Sequence, residues 1–236
     1  MKYNFCRTFF LVLLQFILLT GNIFSQDSLQ NRAEANIGVD FATQYMWRGL
    51  VLSKGPVLQP AADISLNNLT FGLWGSTTFS ATESKELDVY VNYDFRDFSF
   101  SVIDYFTYFD SASPSFFNYN KDESGHIIET TAAFGGTDKI PFRFLAGVNL
   151  FGDSTHSTYF EAAWLSGIGE TDIEIVAGYT PQSGYYHESK KGFTNVGANF
   201  MRSIPMNDRL SLNIKFSVFY APLVDQTYFA LLIGLK

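Results

Sequence analysis

The sequence predicts an all-β chain: a transmembrane, antiparallel, up-and-down β-barrel of about twelve strands. Three observations predict it. Apolar and polar residues alternate with a period of two through most of the chain, which sends successive side chains to opposite faces of a strand. No helical periodicity competes over a comparable length. The composition is oily yet ordered: 47% hydrophobic and 17% aromatic, with 17% charged against roughly 25% in ordinary soluble domains.

The first 25 residues form a separate object. Lys2 and Arg7 give a positive start, Phe9 to Leu19 is apolar, and Gly21, Asn22 and Ser25 make a small polar tail. This is the layout of a secretory signal peptide, too short for a spanning helix. Residues 1–25 are therefore expected to be removed and residues 26–236 to form the barrel. Cys6, the single cysteine, would go with the leader, which excludes disulfides, thiolate nucleophiles and cysteine metal sites together. Without Lys2 and Arg7 the chain keeps 14 basic against 23 acidic residues, a net of −9 that repels nucleic acid. No later apolar run is long enough to span a bilayer as a helix, so a membrane location requires a closed barrel.

The first predicted strand covers 39–49. Val39, Phe41, Thr43, Tyr45 and Trp47 lie on one face, and Asp40, Ala42, Gln44, Met46 and Arg48 on the other. In the second, Leu58, Ala62, Ile64 and Leu66 oppose Gln59, Ala61, Asp63 and Ser65. Pro60 lacks a ladder donor and moves its expected start to Ala61. The third sets Leu69, Phe71 and Leu73 against Gly72, Trp74 and Ser76; the fourth sets Leu87, Val89, Val91 and Tyr93 against Asp88, Tyr90 and Asn92. In the fifth, residues 98–109, Asp104 falls in phase with Phe100, Val102 and Phe106, which suggests a register-shifting bulge. Strands six to nine start near His126, Phe142, Tyr159 and Asp172. The last three start near Thr194, Leu210 and Thr227, and the final one carries Phe229, Leu231, Ile233 and Leu235 in phase.

Most segments approach the ~9–11 residues of a tilted membrane strand. Connections alternate in length. Turns near Asn67, Arg96, Gly136, Gly167 and Ser203 are short; those at 48–56, 110–125 and 180–191 are longer and polar. That asymmetry fits an outer-membrane barrel with short periplasmic turns. The polar set is small and mixed, so the oily set is expected to face lipid. Tyr45, Trp47, Tyr179 and Tyr220 would form the outer aromatic girdle, and Tyr93 and Trp164 the inner one.

Tyr45-Met46-Trp47-Arg48-Gly49, Gln59, Gly72-Leu73-Trp74-Gly75-Ser76 and Glu86-Leu87-Asp88-Val89-Tyr90 occur in that order. Together they resemble the Gcw_chp family of Gram-negative conserved hypothetical proteins, over roughly the first third of the mature chain. Where that family shows a Tyr-x-Tyr-Pro-like strand end, this chain has Tyr105-Phe106-Thr107-Tyr108-Phe109. The resemblance implies an envelope β-barrel and no particular activity.

By phase, the lumen receives Asp40, Asp63, Asp88, Asp94, Glu129, Glu161, Asp172 and Glu174, with Arg48, Arg143 and Lys215 as the bases and Trp74, Tyr90 and Tyr159 as polar aromatics. Buried charge must be paired or hydrated. A water-filled lumen with surplus acid makes a narrow pore for small solutes with a mild cation preference. Alternatively, Arg143, Lys215 and the aromatics plug the interior, giving a structural or binding barrel.

A third reading is an outer-leaflet lipid hydrolase using His126, His156 or His187, with Ser124, Ser157 and Ser189 nearby. His156 and Ser157 are adjacent, so on a strand they face opposite ways, which argues against them as a pair. No histidine pair has metal-site spacing, and neither metal nor cofactor is expected. The aromatic loop Phe116-Phe117-Asn118-Tyr119 is expected to line the barrel mouth. The expected partners are outer-membrane lipid and small solutes or cations.

Overall fold

Alternation along the chain becomes a wall with two chemically different sides. The computed structural model describes residues 33–236 apart from 81, 110–113 and 121–122. The expected leader, residues 1–25 with Cys6, lies outside the described residues. Fourteen strands follow: β1 (Glu34–Ala42), β2 (Tyr45–Trp47), β3 (Leu50–Ser53), β4 (Val57–Leu66), β5 (Leu69–Thr78), β6 (Lys85–Phe95), β7 (Phe98–Tyr108), β8 (His126–Phe134), β9 (Phe142–Phe151), β10 (Thr158–Ile168), β11 (Thr171–Thr180), β12 (Gly192–Asn207), β13 (Leu210–Ala221) and β14 (Gln226–Leu235). Twelve of them, β1 and β4 to β14, close an antiparallel barrel in sequence order, and β2–β3 form a separate hairpin.

Both ends of the wall lie together. β1 begins and β14 ends at the end carrying the short turns, as an even strand number requires. At the turn end Asn67 and Arg96 adopt φ of 54° and 57°, and Gly169 61°, the left-handed conformations of tight hairpins. Two turns lie later than the sequence suggests: β10 continues to Ile168, and β12 continues through Pro205 to Asn207. The ladder there absorbs the proline by a register shift between Pro205 and Asn207.

Pro60 also sits inside its strand, contrary to a start at Ala61. β4 keeps one register with β5 on either side of it, and the small Gly75 lies beside its ring. The missing donor therefore interrupts the ladder without ending the strand.

The outward face carries Phe71, Phe100, Phe144, Phe160, Ile175, Phe200, Phe216 and Phe229, all exposed. Tyr93, Trp164, Tyr179 and Tyr220 stand exposed among them. The polar groups are the buried ones: Asp88, Glu129, Asn149, Asn195, Asn199 and Ser217 lie inside.

The closing seam differs from the other ladders. β1 and β14 pair only over Val39–Ala42 against Leu235–Leu232, whereas β1 and β4 pair along the whole of β1. The chain prolongs the seam just past β1. The Thr43 amide donates to the Leu231 carbonyl at 2.9 Å, and the Leu231 amide donates back to the Thr43 hydroxyl at 3.1 Å.

Candidate functional site: the plugged lumen

The first loop turns inward. Sequence alternation extends strand one to Gly49, but the wall strand stops at Ala42 and residues 45–53 form the β2–β3 hairpin inside the barrel. The period of two continues because a hairpin is also extended chain. The break appears in the turn: Arg48 has φ 50° and Gly49 φ 86°. Two consecutive left-handed residues define a two-residue hairpin turn, which favours Asn-Gly. Arginine in that conformation carries a cost of order 1 kcal/mol.

The lumen compensates that cost. Arg48 Nη1 and Nη2 donate to Glu129 Oε1 and Oε2 at 2.5 and 3.1 Å, and Nη1 donates to the Tyr186 hydroxyl at 2.8 Å. The guanidinium carbon lies 4.4 Å from the ring centres of both Trp47 and Tyr159. Glu129 is fully buried and also accepts from the Tyr105 hydroxyl at 2.9 Å. An ion pair this dry is stable only with such additional donors. Tyr185 and Tyr186, from the 181–191 loop, cap the hairpin, and Trp47 stacks on Tyr186 at 6.0 Å. Burial lifts the Tyr186 phenol to about 12, so it stays a neutral partner for Arg48.

Two irregularities in the wall seat this plug. Tyr179 pairs with Phe193 and Gly178 with Asn195, leaving Thr194 as an extra residue. The bulge aims the Thr194 carbonyl at Gly49, where an added Cβ would lie 2.1 Å from that oxygen. A second shift, between Ile128 and Glu129, leaves Leu150 unpaired. Beside it Gly147 leaves room for Glu129, whose Oε1 would be 2.2 Å from a Cβ there.

Outside the wall the hairpin is tied to a second loop. Glu83 accepts from the Ser53 and Thr78 hydroxyls and the Lys54 amide, and the Ser53 bond first among these holds its carboxyl below the usual range. Below the hairpin lies a cavity of about 400 Å³ lined by Trp47, Tyr105, Arg143, Glu161, Glu174 and Lys215, among others. Arg143 bridges Glu161 at 2.8 Å and Glu174 at 3.4 Å. The Tyr159 hydroxyl donates to Glu161 at 2.7 Å, and Asn199 Nδ2 donates to Glu174 at 3.1 Å.

Asp104 gives the second correction. No bulge shifts β7; Asp104 keeps the outward phase. Residues 114–120 cover it instead of lining the mouth. Asp104 accepts from the Tyr119 hydroxyl at 2.6 Å, and its other oxygen lies 2.8 Å from His126 Nδ1. His126 Nε2 lies 2.6 Å from the Phe116 carbonyl, and the ring is sandwiched by Phe106 and Tyr119.

Residues 30–211 match the family model described as a bacterial protein of unknown function (Gcw_chp). The chain belongs to that family. The Gcw_chp match extends far beyond the motifs of the N-terminal third. No curated protein matches the chain. Among solved structures, the Gcw_chp chain is similar to an outer membrane channel from Pseudomonas putida F1, at 14% identity and a TM-score of 0.42, covering 89% of this chain and 98% of that one. Another, solved in work on in-meso crystallization of membrane proteins, has 4% identity and a TM-score of 0.41, with 84% and 81% covered.

The Gcw_chp structure places the sequence-selected residues in four groups. Arg48 and Glu129 form the plug latch; Arg143, Glu161, Glu174 and Lys215 surround the cavity. Tyr45, packed on Trp74 at 5.4 Å, leaves the expected girdle for the lumen, as does Trp47. Asp88 stands on the inner wall near them, and Asp40 lies beside a smaller space shared with Trp74 and Lys215. Asp63 and Tyr90 belong to the turn-end half, where Asn36 Nδ2 donates to Asp63 at 2.9 Å and the Tyr90 ring lies over Gly72.

Sequence reasoning missed Glu86, which is hydrogen-bonded to Tyr45 of the hairpin, and Tyr105, Tyr185 and Tyr186. Glu86 shares the phase of Asp88 two residues on, which was signal enough. The paired tyrosines sit in a loop with no period to place them. Among the described residues no serine hydroxyl bonds a histidine ring: His156 Nδ1 meets the Asn149 carbonyl, and His187 Nδ1 accepts from the Ser189 and Lys190 amides.

Proposed function

We propose that this Gcw_chp protein spans an outer membrane and is a narrow small-solute pathway whose resting state is shut by its own first loop. The continuous apolar outer face supports the membrane location, since soluble surfaces rarely carry apolar patches beyond a few hundred Å². The Arg48–Glu129 latch carries the gate: a charged hairpin, held by side chains rather than covalently, occupies a lumen otherwise lined by polar groups. The mild cation preference of the open state comes from the turn end. Asp63 and Asp94 there are bonded by asparagine amides, and Asp63, Asp94 and Asp172 have no ion-pair partner among the described residues. Unneutralised carboxylates at a mouth favour cations.

Planar-bilayer recording tests the reading. Wild type is expected to show brief, rare steps, and Arg48→Ala a raised open fraction with a reversal potential on the cation side. Replacing Asp63 and Asp172 by Asn should move that potential toward zero. Absence of steps above leak in both wild type and Arg48→Ala would remove the pathway and leave a structural barrel.

A further inference from the structure

The acids and bases around the cavity are not all used. Arg143 is engaged by Glu161 and Glu174, and both Glu161 oxygens have partners in Arg143 and Tyr159. Glu174 is engaged only through Oε2, by Arg143 and Asn199; no hydrogen bond reaches its Oε1, which is not sealed from solvent. Lys215 makes no hydrogen bond and no ion pair within 4.0 Å among the described residues, although it lines both lumen spaces. One unsatisfied ammonium and one unsatisfied carboxylate oxygen therefore face a common volume without touching. Trp47, Val176, Phe219 and Tyr228 give the same volume an apolar share of its lining. A volume of about 400 Å³ falls within the range of small-molecule sites, roughly 300–1,000 Å³.

We propose that this cavity binds a small zwitterion of the α-amino-acid class with an apolar or aromatic side chain. Its carboxylate sits on Lys215 and its ammonium on Glu174 Oε1, and its side chain packs against Phe219, Tyr228 and the Trp47 indole. This rests on the pathway reading for its biological use, since it names the class of solute held beneath the gate. It does not rest on that reading for its chemistry. Each charged end finds a lumen atom that no hydrogen bond reaches, and charge-assisted bonds are roughly twice as strong as neutral ones. A neutral molecule overall also avoids bringing net charge into the low-dielectric lumen.

Calorimetry on the full-length protein in detergent tests this without conductance. The probes are phenylalanine, 3-phenylpropionate, which lacks the amine, and phenethylamine, which lacks the carboxylate. Phenylalanine is expected to bind saturably and quench Trp47 fluorescence, and each truncated probe to bind about tenfold more weakly or worse. Lys215→Met should weaken phenylalanine and phenylpropionate but not phenethylamine. Glu174→Gln should weaken phenylalanine and phenethylamine but not phenylpropionate. Absent phenylalanine binding, or equal binding of all three probes, overturns the proposal, as does an unchanged affinity in both variants. Thermal unfolding of each variant shows that its barrel is intact. Conductance in Arg48→Ala with no phenylalanine binding would sink this site and spare the gate; binding with no conductance would do the reverse.

Discussion

Arg48 and Glu129, 81 residues apart in sequence, meet inside the barrel through two nitrogen–oxygen contacts of 2.5 and 3.1 Å. One sits on a hairpin tip and the other on the wall, so the pair ties plug to cylinder by charge. Removing one partner of a buried pair leaves the other charged and dry, at a cost of about 3–5 kcal/mol; removing both costs less. Arg48→Ala and Glu129→Gln should each increase hydrogen exchange across residues 45–53. The double variant should fall well short of the sum of the two. Additive effects would mean that the two residues act separately.

Gly49 is held tightly between a left-handed turn and the Thr194 carbonyl. Gly49→Ala places a Cβ against backbone that cannot swing aside. The hairpin should lift and reproduce the exchange of Arg48→Ala, with the barrel's unfolding temperature little changed. Gly169→Ala, where nothing lies within 4 Å, is the control and should leave the hairpin alone.

The Asp104–His126 pair pins a loop to the outer wall. Both ring nitrogens of His126 face oxygen atoms, one on Asp104 and one on the Phe116 backbone. His126→Leu keeps the ring pocket oily but leaves Asp104 bonded to Tyr119 only on its other oxygen. Protease cleavage within residues 114–120 should rise about fivefold or more, since each lost hydrogen bond contributes ~0.5–1.5 kcal/mol and two are lost. Wall strands should stay resistant. Unchanged cleavage in His126→Leu and Asp104→Ala would show that aromatic packing alone holds the loop.

Asp153 gives an acid-side prediction. Burial pushes its carboxyl up, but donation from Thr155, Asn149 and the Ser157 amide outweighs it and holds the group well below the ordinary range. A folded pKa below the unfolded ~3.9 contributes stability above that value and loses it as pH falls through the folded pKa. The 152–157 loop should therefore keep its exchange protection at pH 4 and lose it only in stronger acid. Asp153→Asn should be less protected at neutral pH and nearly flat across that window.

Much of the wall was legible because the lipid-facing and lumen-facing chemistries differ at every second residue. Leu87, Val89 and Val91 against Asp88 and Tyr90 could be read in one phase only. The candidate site was legible by residue but not by arrangement. Period-two reasoning put Arg48 and Glu129 inside, yet could not see that Tyr45 to Ser53 leaves the wall, because a hairpin keeps the same alternation. The informative mark was local: a glycine after Arg48, in a position suited to two left-handed residues. Asp104 misled for the opposite reason. Its phase was right, and an unpredictable loop contact neutralised it.

The short seam has a consequence for how the molecule is made. Residues 43 and 44 complete the last wall contacts with β14 and, without a break, become the stem of the stopper. Lid and hinge are thus spliced into the first staves of the cask. Any excursion of the loop therefore tugs on the join that keeps the cylinder round.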